Sequence, residues 1–365
     1  MFNRWKTRFL EFYSEHEARL ELGFFIGGFI IDILFMAEVD DVFSLAQQAV
    51  YLFIISLILH FEILQRSRLW HPSEGLIKKI WDYANLFLHF FLGSLLSVYS
   101  LFYIKSSSLA SSLIFLLFMI GLLIANELPM VKKANVSLKV GLFAICLFSF
   151  VSILITIILG FVGWIPFGLS VVVTLSLIYF QFRLLKKNIP DDRELFRAIL
   201  FPGASILVVF RAFYFLGWIP PVPLNVKYQG IFHLVEKKEG HFLLHTEKED
   251  WKFWQTGDQD FKARPGDKIY FYAQIYSPTK FSDQIFIQWL WKHPAKGWQK
   301  TDRIPLQITG GRQEGFRGYG VKANYQPGQW RVQVETSMGH EVSRMYFEVS
   351  EDTRVEPRNF KVLEK

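Results

Sequence analysis

The pattern of apolar and polar positions changes period near residue 225. Before that point, apolar residues gather in seven long runs, at about 22–39, 43–64, 84–104, 109–127, 138–160, 167–185 and 195–219. Each approaches the roughly 20 residues a helix needs to cross the hydrocarbon core of a bilayer. Helices are required there because lipid offers no partner to an open strand edge. The sixth run is the shortest, strongly apolar only over Phe167–Phe182. Ahead of them, residues 1–20 place Trp5, Phe9, Phe12, Tyr13, His16 and Leu20 at helical spacing among charged residues, which predicts an amphipathic helix lying in the membrane interface. The helical domain then covers 21–220, and Pro220-Pro221-Val222-Pro223 opens a stiff exit linker over 221–227.

Beyond the linker, alternation broken by turn residues replaces the helical period. It predicts strands at Gln229–Val235, His241–Thr246, Lys268–Tyr276, Gln284–Trp291, Ile304–Thr309, Gly318–Lys322, Gln329–Glu335 and Glu341–Val349. The fold class is therefore an α-helical polytopic membrane bundle of about seven spans. It is followed, over 228–350, by an all-β antiparallel sandwich of the immunoglobulin-like kind. Residues 351–365 read as a charged, frayed tail.

Charge fixes an expected orientation. Lys and Arg alternate between rich and poor along the connections, beginning with Arg4, Lys6, Arg8 and Arg19 before the first run and none after it. Arg66, Arg68, Lys78 and Lys79 follow the second run, Lys105 the third, and Lys132, Lys133 and Lys139 the fourth. None follow the fifth, while Arg183, Lys186, Lys187 and Arg193 follow the sixth. By the positive-inside rule the N-terminus is cytoplasmic and the β domain lies outside the cytoplasm, in a bacterial inner membrane. The charge-dense N-terminus leaves no cleavable signal peptide, so the first run serves as an uncleaved export signal. The average of 51% hydrophobic and 20% charged residues combines these two unlike parts, and it excludes one uniform globular domain, a disordered chain and a disulfide scaffold. The single Cys146 lies in an apolar run as a small hydrophobe.

Gly163-Trp164-Ile165-Pro166 recurs as Gly217-Trp218-Ile219-Pro220, which reads as shared helix-end chemistry at the interface. In the C-terminal part, Trp289, the runs Ile308-Thr309-Gly310-Gly311-Arg312 and Gly315-Phe316-Arg317-Gly318-Tyr319, Lys322, and Pro327-Gly328-Gln329-Trp330-Arg331-Val332 form a pattern. Gly339, Arg344 and Phe347 complete it. On these residues, Ile285–Val349 resembles the bacterial domain of unknown function 2914. The helical half is similar to multi-span members carrying that domain, through Gly27-Gly28-Phe29 with Asp32, Phe102-Tyr103-Ile104-Lys105-Ser106 and Asn126-Glu127-Leu128-Pro129. The resemblance implies a membrane anchor joined to a small β domain. It implies no activity.

Candidate chemistry is sparse. Asp32 and Arg211 are ionisable residues at membrane depth and are spaced to pair as a buried clamp. His60, Glu62, Asn85, His89, Asn126, Glu127 and Arg197 form a polar layer near the cytoplasmic ends, with Asn85 and His89 sharing a helix face. Glu38, Asp40 and Asp41 make an acidic turn, and Gly23-x-x-x-Gly27 permits close packing within the bundle or in an oligomer. In the β domain, Arg312, Arg317, Lys322, Trp289, Trp291 and Tyr319 combine fork-shaped or point cations with aromatic faces. Such residues suit an anionic or glycan ligand, a lipid headgroup or a partner protein. His241 and His245 sit too far apart on a strand to share a metal. No motif calls for a catalytic residue, metal or cofactor, and the small mixed charge argues against nucleic acid. The expectation is a non-enzymatic envelope protein in contact with the lipid bilayer. The alternative is a transporter or membrane enzyme with a site between the spans.

Overall fold

The computed structural model describes residues 39–132, 135–277, 284–306 and 315–365. Contacts divide the chain into two units: a helical one within residues 1–219, and a second made of 220–365 with 104–112 and 156–163.

The helical unit contains α1 (Val42–Arg66), α2 (Leu76–Asp82), α3 (Ala84–Lys105), α4 (Leu109–Glu127) and α5 (Pro129–Lys132). It continues with α6 (Val136–Leu159), α7 (Trp164–Lys186), α8 (Asp192–Leu195), a π-helical turn (Phe196–Leu200) and α9 (Phe201–Phe215). Among the described residues, α1, α3, α6, α7 and the continuous segment from α8 to α9 are long and apolar enough to cross a membrane, and α4 is a shorter apolar helix. The predicted runs from 43 onward are thus all helical. The first run, the amphipathic segment 1–20, Asp32, Glu38 and the Gly23/Gly27 pair lie outside the described residues, save Val39 at the end of that run.

Local chemistry sets the helix ends. Asp41 caps α1 by accepting from the Ser44 amide at 2.8 Å, so a carboxylate of the acidic turn serves as a cap. The π turn precedes Pro202, which has no N–H to donate to residue 198. The two Gly-Trp-Ile-Pro copies differ in use. One opens α7 with Pro166 in its first turn, while the other follows the end of α9.

The described residues within 225–364 of the second unit fold as β-strands and connecting loops. Strands β1 (Asn225–Phe232), β5 (Ile269–Tyr276) and β8 (Phe316–Lys322) form an antiparallel sheet in the order β1-β5-β8. A five-stranded sheet runs β4 (Asp260–Ala263), β10 (Glu341–Glu351), β9 (Gly328–Glu335), β6 (Phe286–His293) and β7 (Gly297–Pro305), parallel only between β4 and β10. Inward residues of the two sheets interdigitate: Phe271, Ala273 and Ile275 meet Ile287, Trp289, Val332, Val334 and Phe347. The antiparallel sandwich is therefore present.

It carries one layer more than expected. A third sheet, in the order β11-β3-β2, uses β2 (Leu234–Lys238), β3 (His241–Thr246) and β11 (Lys361–Glu364). Phe232, Val235, Phe242, Leu244 and Tyr272 form a second apolar cluster. Both faces of β5 are consequently covered, and its buried positions run almost without alternation.

Three expectations need correction. The strand predicted at Gln229–Val235 is two strands, β1 and β2, broken at His233. The strand predicted at Ile304–Thr309 lies earlier, as β7, because the hairpin turn follows His293 rather than the later glycines. The tail is not frayed: β11 pairs with β3, and the Phe242 amide donates to the Lys365 carbonyl at 2.8 Å.

Candidate functional site

The polar layer of the helical unit forms where α1 and α4 end and α3 and α6 begin. Lys139 of α6, only 4% exposed, donates to Glu62 at 2.9 and 3.1 Å and to Asn85 Oδ1 at 2.7 Å. Arg66 meets the same carboxylate at 2.9 Å, and Asn85 Nδ2 donates to the Lys132 carbonyl at 3.0 Å. Beside them, His89 Nδ1 lies 2.9 Å from Asn126 Oδ1. Asn126 Nδ2 donates to the His89 carbonyl and to Glu127, which pairs with Lys132 at 3.3 Å. Gly93 makes room for the second group, because a Cβ there would stand 3.1 Å from Glu127 Oε1.

The layer therefore brings together Glu62, Asn85, His89, Asn126 and Glu127. It adds Lys139, which a count of loop charges hides by treating it as an inner-loop cation. His60 packs edge-on against Phe61 instead. Arg197 meets the layer's neighbourhood through its carbonyl, which accepts from Ser137 at 3.3 Å. Arg211 is exposed on α9, its guanidinium 5.4 Å from the Phe215 ring, while its predicted partner Asp32 is outside the described residues.

The Arg and aromatic residues of the β domain do not form one cluster. Trp289 is wholly buried in the sandwich core, with its ring edge-on to Phe271 and Phe347. Alternation along β8 separates Arg317 and Tyr319, which lie near Phe242, from Lys322 on the opposite face. Lys322 pairs with Asp302 and lies 5.5 Å from the Trp330 ring. With Trp291, Thr301, Asn324, Tyr325, Gln326 and Trp330 it walls a groove of about 390 Å³. Arg331 covers Trp298 at 4.9 Å, and Arg344 is paired with Glu341 at 2.6 Å. Arg312 is outside the described residues.

A second polar pocket of the β domain had no signal in the sequence. His233, at the break between β1 and β2, and Asp258 each expose 4% of their side chains and lie 3.9 Å apart. His233 Nε2 stands 3.4 Å from Glu247. Asp258 Oδ1 accepts from Thr246 Oγ1 at 2.8 Å and from the Glu247 amide at 2.9 Å. Its Oδ2 and both His233 nitrogens are buried without a hydrogen-bond partner among the described residues. Burial pushes the Asp258 carboxyl up to about 7. Burial first, then the nearby Arg358, lowers the His233 imidazole to about 4.

Gly257 makes this geometry possible. Its φ is +73°, and a Cβ there would stand 2.1 Å from the Ile231 carbonyl oxygen. Behind the pair, Arg354, Arg264 and Arg358 converge on Asp352, and Arg354 in particular holds that carboxyl well below the usual carboxylate range. The pocket, of about 200 Å³, is completed by Lys248, Glu249, Lys252, Gln255, Asp260 and Lys262. Among the described residues no three His, Cys, Asp or Glu are placed to hold a metal ion; His241 and His245 pair separately with Glu364 and Glu236.

No curated protein matches the chain. Two solved structures show weak likeness. An immunoglobulin-like protein from Pseudomonas aeruginosa is 12% identical, with 33% of this chain and 96% of that one covered and a TM-score of 0.19. A Pseudomonas fluorescens alkylpurine DNA glycosylase is 9% identical, with 86% and 100% covered and a TM-score of 0.23. Both scores are too low to carry an argument. The β6-to-β10 segment is the informative part: residues 282–349 match the family described as "Protein of unknown function (DUF2914)", so this chain carries a C-terminal domain of that family behind apolar, membrane-type helices.

Proposed function

We propose that the chain is a membrane-anchored, non-enzymatic binding protein of the bacterial envelope. In this reading the helices hold it in the inner membrane, the β domain lies outside the cytoplasm, and that domain binds a glycan. The alternation of Lys and Arg along the connections supports the orientation. The observation that carries the glycan reading is the groove at Trp291. It sets the Trp291 and Tyr325 rings beside the hydroxyl and amide groups of Thr301, Asn324 and Gln326. Flat aromatic faces with neutral hydrogen-bonding groups suit a sugar ring. Because Asp302 already compensates Lys322, the groove favours a sugar over a phosphate. Trp289 supports the groove from the core, and Arg317 and Tyr319 stand on the other face of β8.

The test is calorimetric titration of the full-length protein in nanodiscs with soluble fragments of envelope glycan. Wild type binds, and Trp291→Ala weakens binding about tenfold, the worth of one aromatic stack, with the β domain still folded at the temperature of the titration. Equal binding by the variant, or no binding by wild type, rejects the reading.

A rival reading places a transport or catalytic site between the spans, around the inner layer and the Asp32/Arg211 pair. It is favoured by the buried His89 Nε2, which has no hydrogen-bond partner among the described residues. Ion or proton flux in proteoliposomes that disappears in His89→Ala would replace the binding proposal.

A further inference from the structure

One wall of the His233–Asp258 pocket is the loop 247–255, and its tip carries three exposed aromatic residues. Trp251 is 63% exposed, Phe253 84% and Trp254 58%. Their rings pack on one another, Trp251 on Trp254 at 5.4 Å and Phe253 on Trp254 at 5.1 Å, so they form one preassembled apolar tip. The loop behind it is braced. The Lys252 amide donates to the Glu249 carbonyl, the Gln255 amide to the Lys252 carbonyl, and Lys248 Nζ to the Lys252 carbonyl at 3.0 Å. An apolar patch held out into water on a braced loop marks an interaction surface.

Three observations choose the occupant. Trp and Phe with a polar atom in reach are residues of the membrane–water interface, and the Trp251 Nε1 already donates to Glu249 at 2.8 Å. Of the carboxylates near the tip, Glu249 and Asp260 share the single ammonium of Lys252, and Asp250 pairs with Lys361. Lys262, by contrast, donates to Ser350 Oγ, and Lys248 to a backbone carbonyl. Among the described residues neither lysine makes an ion-pair contact with a carboxylate, although Lys262, behind Lys252, lowers the nearby Asp260 carboxyl, and Lys248, behind Lys361, the Asp250 carboxyl. Finally, a bilayer is always near, because only residues 216–224 join the last apolar helix to β1, a reach of about 30 Å at full extension. A second copy of the chain is a poorer occupant. Three aromatic side chains bury about 450–750 Å², short of the roughly 800 Å² per partner of a stable protein interface.

We propose that the loop 247–255 seats the β domain on the bilayer, with Trp251, Phe253 and Trp254 in the membrane–water interface and the pocket behind them taking a phospholipid phosphate on Lys248 and Lys262. The buried nitrogens of His233 and Oδ2 of Asp258, which have no hydrogen-bond partner among the described residues, give the headgroup polar atoms to bond. The inference needs the membrane anchor only, and stands or falls separately from the glycan groove.

The test uses full-length protein carrying Phe253→Cys, labelled with bimane, in nanodiscs of phosphatidylethanolamine and phosphatidylglycerol. Cys146 is buried and escapes labelling. Lipids spin-labelled at the headgroup or high on the acyl chain quench the label, and lipids labelled deep in the chain do not. Lys248→Glu and Lys262→Glu each weaken the docking about fivefold, with the melting temperature unchanged. Quenching by aqueous iodide in place of lipid overturns the proposal. Protection from both quenchers, which means a protein occupant, also overturns it. Unchanged lipid quenching in the double lysine variant overturns the phosphate assignment.

Discussion

Lys139 illustrates how a single residue changes meaning with its surroundings. In the sequence it is one more positive charge between two apolar runs. In the structure its ammonium is buried and held by Glu62 and Asn85. Lys139→Met should lower stability by about 1–2 kcal/mol, because Glu62 loses its buried partner and keeps, among the described residues, only the exposed Arg66. The double variant with Glu62→Leu should recover most of that loss in thermal unfolding of the detergent-purified protein. Asp258 and His233 make a second residue-scale prediction, in pH. Asp258 favours the folded state while protonated, a contribution complete below about 4 and lost as pH rises through about 7. His233 acts in the opposite sense: its contribution is complete above about 6.5 and is lost as pH falls through about 4. Asp258→Asn keeps an Oδ1 for Thr246 and Glu247 but cannot ionise. It should therefore add stability at pH 8, by up to about 4 kcal/mol, and less at pH 5, about 1.5 kcal/mol. Equal shifts in melting temperature at the two pH values would contradict this.

At the scale of elements, the β domain depends on close backbone approaches that only glycine permits. Gly257 crosses Ile231 so tightly that the Asp258 amide donates to the Ile231 carbonyl at 2.6 Å. Gly257→Ala adds a Cβ at positive φ directly against that oxygen, and should destabilise by well over about 1 kcal/mol, with the His233–Asp258 pocket lost before the sandwich core. Thermal unfolding with histidine NMR reads both. Gly320 differs, since a Cβ there would meet only the end of the Ile287 side chain, at 2.6 Å, which can turn aside. The strands with clear alternation, β3 and most of β10, sit close to their predicted ranges, because one face of each is buried and the other wet; β9 matches its range although its last four residues are all buried. β4 and β11 escaped prediction. Each has four residues, and β11 is exposed throughout, so neither offers a burial period to read.

At the scale of the whole molecule, apolar helices and a β domain share one chain, and the sidedness of the membrane decides what the β domain can meet. Val355 is 98% exposed and lies beyond the last strand of the sandwich. Val355→Cys should react with a membrane-impermeant maleimide added to intact spheroplasts, as the charge alternation requires. Reaction only after permeabilisation would reverse the orientation and remove the envelope glycan from consideration.

The division of the chain, the helices from residue 43 onward, most strands and most members of the inner polar layer follow from the sequence alone. These depend on periods and spacings within a few turns, such as Asn85 and His89 on one helix face, and burial writes such periods directly into residue order. The sites are different. Trp289 and Trp291 share one face of β6, yet the first is wholly buried and the second, packed against the edge of the core, also walls a groove. Arg317 and Lys322 look like neighbours and face opposite ways. His233 and Asp258 are distant in sequence and meet only because Gly257 lets the chain cross Ile231. Long-range packing decides which side chains meet, and no local pattern records it.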